Sequence, residues 1–156
     1  MKLATQQANI QGCKMPDGPH YDDIRAIVGT GQCAAGAVNL LDGPEPWNIG
    51  PGWSDLGDGR WLFTNTGGIS TLSKNLNSIL IPGENYTGFC TIESATTAAL
   101  YFRLSGSNSE LHTTIDTFED QFNSIVIGAD QTGVRAIASS DNMIVSNIQL
   151  YLSSEL

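Results

Sequence analysis

Short apolar and polar stretches alternate along the chain, broken by turn formers roughly every ten to fifteen residues. Trp53 to Leu56 and Arg60-Trp61-Leu62-Phe63-Thr64 flank Gly57-Asp58-Gly59. An Asp-Gly step between two such runs predicts a hairpin, with positive φ at Gly57 and Gly59. Ile69 to Leu80 alternates loosely and is stopped by Pro82-Gly83, a turn pair. Asn85 to Glu93 carries Tyr86 and other strand formers, and Ala99 to Leu104 follows, closed by Ser105-Gly106-Ser107-Asn108. Leu111 to Ile115, Asn123 to Ile127, Val134 to Ala138 and Val145 to Leu152 complete a series of about eight or nine strands. Thr117 to Phe122 is the one stretch that reads as a helical turn. No 3.6-residue period persists beyond about two turns. Regular short strands with turn punctuation predict an all-β fold, an antiparallel β-sandwich.

The first 37 residues have a different character. Five of the six prolines (Pro16, Pro19, Pro44, Pro46, Pro51) lie within the first 51 positions. Proline donates no backbone hydrogen bond and suits arms and edges rather than central strands. Met15-Pro16-Asp17-Gly18-Pro19-His20 is a string of turn formers, and Gly29 to Gly36 is small and flexible, with one short strand expected at Ile24 to Val28. Residues 1–37 therefore read as an extended N-terminal arm and residues 38–156 as the sandwich domain. The apolar positions Ile10, Met15, Tyr21 and Ile24 would let the arm lie across a partner subunit.

Composition agrees with this division. Gly, Ser, Asn and Thr supply 55 of 156 residues, a turn-rich, β-leaning mixture. Seven basic against sixteen acidic residues give a net charge of −9, and no lysine follows Lys74. Such a chain repels a phosphate backbone, which argues against nucleic acid as a partner. No run is apolar and long enough for a membrane helix, and the first residues lack the apolar stretch of a secretory signal. Cys13, Cys33 and Cys90 have no metal-type spacing; they read as incidental thiols, with a Cys13–Cys33 disulfide left open.

From Asn39 the order of elements resembles the carbohydrate-binding-module-like, or galactose-binding-like, jelly rolls. The resemblance rests on Asn39-Leu40-Leu41-Asp42-Gly43, the tryptophan-bearing segment Trp47 to Trp53 and the Gly57-Asp58-Gly59 turn. It continues through Pro82-Gly83-Glu84-Asn85-Tyr86 to the closing run Val145 to Leu152. It covers residues 39–152 and implies a jelly roll in which Tyr86 enters its strand with the ring inward and the hydroxyl near the rim. Where the family often carries Asp in the last strand, this chain has Ser146 and Asn147, which weakens transfer of a calcium site. Asp42 and Glu45 then read as loop acids in water. No metal or other cofactor is expected.

Domains of this kind occur as sugar-binding modules and in tailed-phage virion proteins. A polar arm ahead of a compact sandwich fits a non-enzymatic capsid cement or decoration subunit. Such a subunit would be made in the host cytoplasm, incorporated in the virion with major capsid or tail subunits, and present as a homo-oligomer. The alternative is a carbohydrate-binding module of a tail or fibre. A sugar site needs an aromatic for the apolar side of the ring and polar groups for its hydroxyls. Trp47, set in a loop by Pro46 and Asn48, is the exposed candidate, whereas Trp53, Trp61 and Phe63 read as core. Tyr101 and Arg103 are two apart and share a strand face, with Phe102 on the other. His20 and His112 lack a spaced partner and read as surface or arm positions, the paired acids Asp22-Asp23 and Glu119-Asp120 as solvated, and no catalytic residue is expected.

Overall fold

The computed structural model describes residues 37–156. Within the compact unit Leu40–Leu150, ten strands form two five-stranded antiparallel sheets, the last strand running on to Leu152. They are β1 (Asn48–Ile49), β2 (Trp53–Gly57), β3 (Arg60–Phe63), β4 (Ser70–Lys74) and β5 (Tyr86–Ser94). β6 (Leu100–Leu104), β7 (Ser107–Asn108), β8 (Thr117–Phe122), β9 (Thr132–Ala136) and β10 (Met143–Leu152) complete the set. The first sheet has the order β1-β4-β9-β6-β7 and the second β2-β3-β10-β5-β8. This is the antiparallel β-sandwich that the punctuation of the sequence predicts, in the jelly-roll form that the resemblance implies. Tyr151–Leu156 belong to a second unit, in which β10 ends and a 3-10 turn spans Ser153–Glu155.

Each sheet turns one face inward. Leu72, Val134, Phe102 and Leu100 from the first sheet and Phe63, Tyr86, Ile92 and Val145 from the second are all 2% exposed or less. Burying side chains of this size stabilises the fold by roughly 1.5–3 kcal/mol each. Sheet separation is set partly at Gly88, where a Cβ would fall within 2.8 Å of the Phe102 ring; the missing side chain on β5 makes room for that phenyl group.

Several expectations hold in detail. φ is positive at Gly57, Asp58 and Gly59 in the turn between β2 and β3. Tyr86 is 2% exposed, and its hydroxyl accepts a hydrogen bond from the Ile81 N–H at 2.9 Å, which ties down the Pro82-Gly83 turn. In β10, Asn147 adopts φ +51 and shifts the phase of the strand, so Val145, Ile148 and Leu150 all face inward.

Three stretches differ. Thr117–Phe122 is a strand rather than a helical turn; Phe118, Asp120 and Phe122 lie opposite Cys90, Gly88 and Tyr86. The period of two is there, but an acid occupies an inward position and hides it. Leu111 to Ile115 forms only a single bridge, His112 to Leu100. Asn123 to Ile127 is no strand: the Ile125 N–H donates to the Glu84 carbonyl and its own carbonyl accepts from Gly83, so the segment plugs the turn instead of extending a ladder.

Candidate functional site

The outer face of the first sheet is polar, and strand register builds it. Across three strands, Tyr101 of β6 lies opposite Arg135 of β9, which lies opposite Thr71 of β4. The next row runs across all five strands as Asn108, Arg103, Gly133, Ser73 and Asn48. Five strands at the usual spacing span about 19 Å. The neighbours Leu100, Phe102, Leu104, Val134 and Leu72 alternate inward and pack the core. Gly133 forms the floor of the row, because a Cβ there would run into the Leu72 carbonyl of β4.

Gln131, just before β9, draws the face together. Its Oε1 accepts from Arg103 Nε at 2.9 Å and from Arg135 Nη2 at 3.2 Å, so two guanidinium groups converge on one neutral oxygen. Arg103 Nη1 also donates to Asn108 Oδ1 at 2.7 Å, and Arg135 Nε donates to Thr71 Oγ1 at 3.0 Å. Arg103 is 8% exposed, Arg135 half-buried. Among the described residues no carboxylate ion-pairs with either; the ion pairs there are Arg60–Glu93 and His112–Asp120. Burial and the like charge of Arg135 hold Arg103 below its ordinary value. The arrangement presents guanidinium, amide, hydroxyl and phenol groups on one rigid surface, the donor and acceptor set that a polyhydroxylated ligand requires.

Trp47 is elsewhere. Because Asn48 shares the outer row, the preceding residue turns toward the inner side, and Trp47 lies half-buried with its ring centroid 5.7 Å from that of Trp61. The Lys74 ammonium sits 5.1 Å from the Trp47 ring centroid and donates to the carbonyls of Leu41 at 2.7 Å and Gly43 at 3.1 Å. Desolvation lowers the Lys74 value, opposed by the charges of Glu45 and Asp42. The loop acids Asp42 and Glu45, read from the sequence as solvated, thus lie near enough to the chain's own cation for their charges to act on it. Trp53 and Trp61, each 5% exposed, and the fully buried Phe63 are core residues, as expected.

The structure brings Tyr101 and Arg103 together on one face, as expected, but not Trp47 with them. It adds Arg135 and Gln131, which sequence reasoning missed although their positions alternate with inward Val134 and Thr132. The arm residues Ile10, Met15, Tyr21 and Ile24, the Ile24–Val28 strand, His20, Asp22-Asp23, Cys13 and Cys33 lie outside the described residues. His112 is not a surface residue: it is 8% exposed, stacked on Phe118 at 3.9 Å, with Nε2 2.8 Å from Asp120 Oδ2. Asp120 is buried with it and not solvated; burial raises its value and His112 opposes that. The pair links β6, through the Leu100 bridge, to β8 across the sandwich. Burial, with a smaller contribution from the Asp120 charge, pushes the Cys90 thiol up to about 12, so at neutral pH it is a protonated core group.

No family model and no curated protein matches the sequence. Among solved structures, the chain is similar to the CBM22-1 xylan-binding domain of Paenibacillus barcinonensis Xyn10C. The TM-score is 0.47 at 12% identity, over 74% of this chain and 92% of that one.

Proposed function

We propose that this chain is a carbohydrate-binding domain whose ligand lies across the outer face of the first sheet. The observation that carries the reading is the cross-strand row of Tyr101, Arg135 and Thr71 beside Arg103, Gln131 and Asn108. Tyr101 offers an apolar ring face with a hydroxyl edge, and the surrounding amides and guanidinium groups can satisfy sugar hydroxyls in the plane of the ring. The strands hold these groups in place before a ligand arrives, which reduces the entropy lost on binding.

A virion-subunit role rests on the N-terminal arm, whose residues lie outside those described, whereas the glycan reading draws on side chains whose positions are known. The test is a glycan array followed by calorimetric titration of the best ligand with the wild type and with Tyr101→Ala. Selective binding that weakens about tenfold or more in the variant supports the reading. Absence of glycan binding, or unaltered affinity in Tyr101→Ala, contradicts it.

A further inference from the structure

Seven basic residues serve a chain of net charge −9, yet two of the arginines are set side by side with no carboxylate ion-paired to either among the described residues. Side by side, they repel each other, and Arg103 is buried, only 8% exposed. Placing a guanidinium in that environment against neutral oxygens alone is costly, and a stable protein usually relieves such a cost with a carboxylate. Elsewhere this chain does so: Arg60, with 44% of its side chain exposed, has Glu93 at 2.9 Å. Among the described residues, the solvated Arg60 has a counter-ion and the buried Arg103 has none.

Each guanidinium carries five N–H donors in a fork. Arg103 uses Nε and one Nη1 donor on Gln131 and Asn108; Arg135 uses Nε and one Nη2 donor on Thr71 and Gln131. Among the described residues, Arg103 Nη2 and Arg135 Nη1 have no partner, and these donors are available to a ligand. Gln131 holds both forks at one point, so an anion placed there would be met by both. A planar carboxylate matches guanidinium geometry in a way that a hydroxyl does not.

We infer that the face selects glycans bearing a sugar carboxylate, a uronic acid, and that the Arg103–Arg135 pair receives that group. This rests on the glycan-binding reading above and specifies its ligand class. The overall acidity of the chain narrows it further. A polyuronate would be repelled by the remaining surface, so the ligand is a mainly neutral glycan with isolated carboxylates. Tyr101, one strand from Arg135 in the same row, is placed to meet the neutral sugar next to the acid.

The experiment uses a matched pair: a neutral oligosaccharide carrying one glucuronic acid, and the same molecule with that carboxyl reduced to a primary alcohol. Both are titrated calorimetrically into the full chain, its Arg135→Gln variant and its Arg135→Lys variant. The expected result is binding of the acid form about tenfold or more tighter than the reduced form, with the difference lost in Arg135→Gln and diminished in Arg135→Lys, which keeps charge but not the fork. Equal affinity for the two forms in the wild type overturns the inference and leaves the glycan reading standing. Binding of neither form overturns both. A polyuronate that binds tighter than the singly charged ligand contradicts the assignment of a sparsely charged glycan. Thermal melts of both variants separate loss of recognition from loss of fold; should Arg135→Gln fail to fold, the wild-type comparison still decides.

Discussion

Lys74 and the Arg103–Arg135 pair belong to the same sheet and treat positive charge in opposite ways. Lys74 shares the inward parity of Leu72, and its ammonium is closed off by two backbone carbonyls and the Trp47 ring. That cation serves the fold: it fastens the loop around Leu41 and Gly43 to the end of β4. The arginines lie on the outward parity, where neutral oxygens hold their forks in place and leave further donors over. A one-residue difference in strand phase separates a cation whose donors are taken up by its own chain from cations with donors to spare. Burial alone does not distinguish them, since Lys74 is 5% exposed and Arg103 8%; what distinguishes them is whether the donors are saturated.

The comparison can be broken most severely at Gly133→Ala. The added methyl meets the Leu72 carbonyl and forces β9 from β4, so a loss of about 3 kcal/mol in denaturant unfolding and loss of glycan binding together are expected. Lys74→Met should cost about 2 kcal/mol, because the Leu41 and Gly43 carbonyls lose a charged donor, while glycan affinity stays within twofold. Trp47→Ala removes the ring beneath that ammonium and its packing on Trp61; it should cost about 2 kcal/mol, again with affinity unaltered. Either variant reducing affinity in proportion to stability would mean that the two faces of the sheet are one coupled site.

Much of the sandwich was legible because its signals are local. Pro82-Gly83 with Tyr86 and the Gly57-Asp58-Gly59 turn each follow from turn chemistry within a few residues. What was not legible depended on partners distant in sequence. Thr117–Phe122 could not be read as a strand until His112 supplied a reason for an inward Asp120. Asn48–Ile49 and Ser107–Asn108 are two-residue strands, too short to show any period. For the site, the two-residue spacing of Tyr101 and Arg103 was enough to put them on one face. Arg135 needed the pairing of β6 with β9, and Trp47 needed the register of Asn48 against Ser73, neither of which spacing reveals.

The smallest expected effect is at the exposed pair on the second sheet. The hydrogen bond from Arg60, with a further one from Ser146, holds Glu93 below its ordinary carboxylate value. A depressed acid adds to stability above its unfolded value, and that contribution fades as pH falls through the folded one. Both partners are well solvated, so Glu93→Gln should leave the melting temperature at neutral pH unaltered within error and only flatten its acid limb. A clear drop at neutral pH would show that counter-ions matter as much on the surface as the arginine pair implies they do in the sheet.

The central claim is that ligand binds on the outward face of β4, β9 and β6. Side-chain Nε–H and backbone amide NMR signals, followed during titration with a uronic-acid-bearing oligosaccharide, test it directly. The account predicts that the largest shifts fall on Tyr101, Arg103, Gln131 and Arg135, with the Trp47 and Trp61 indole signals still. Shifts centred on the tryptophans or on the second sheet, or no shifts at all, would contradict it.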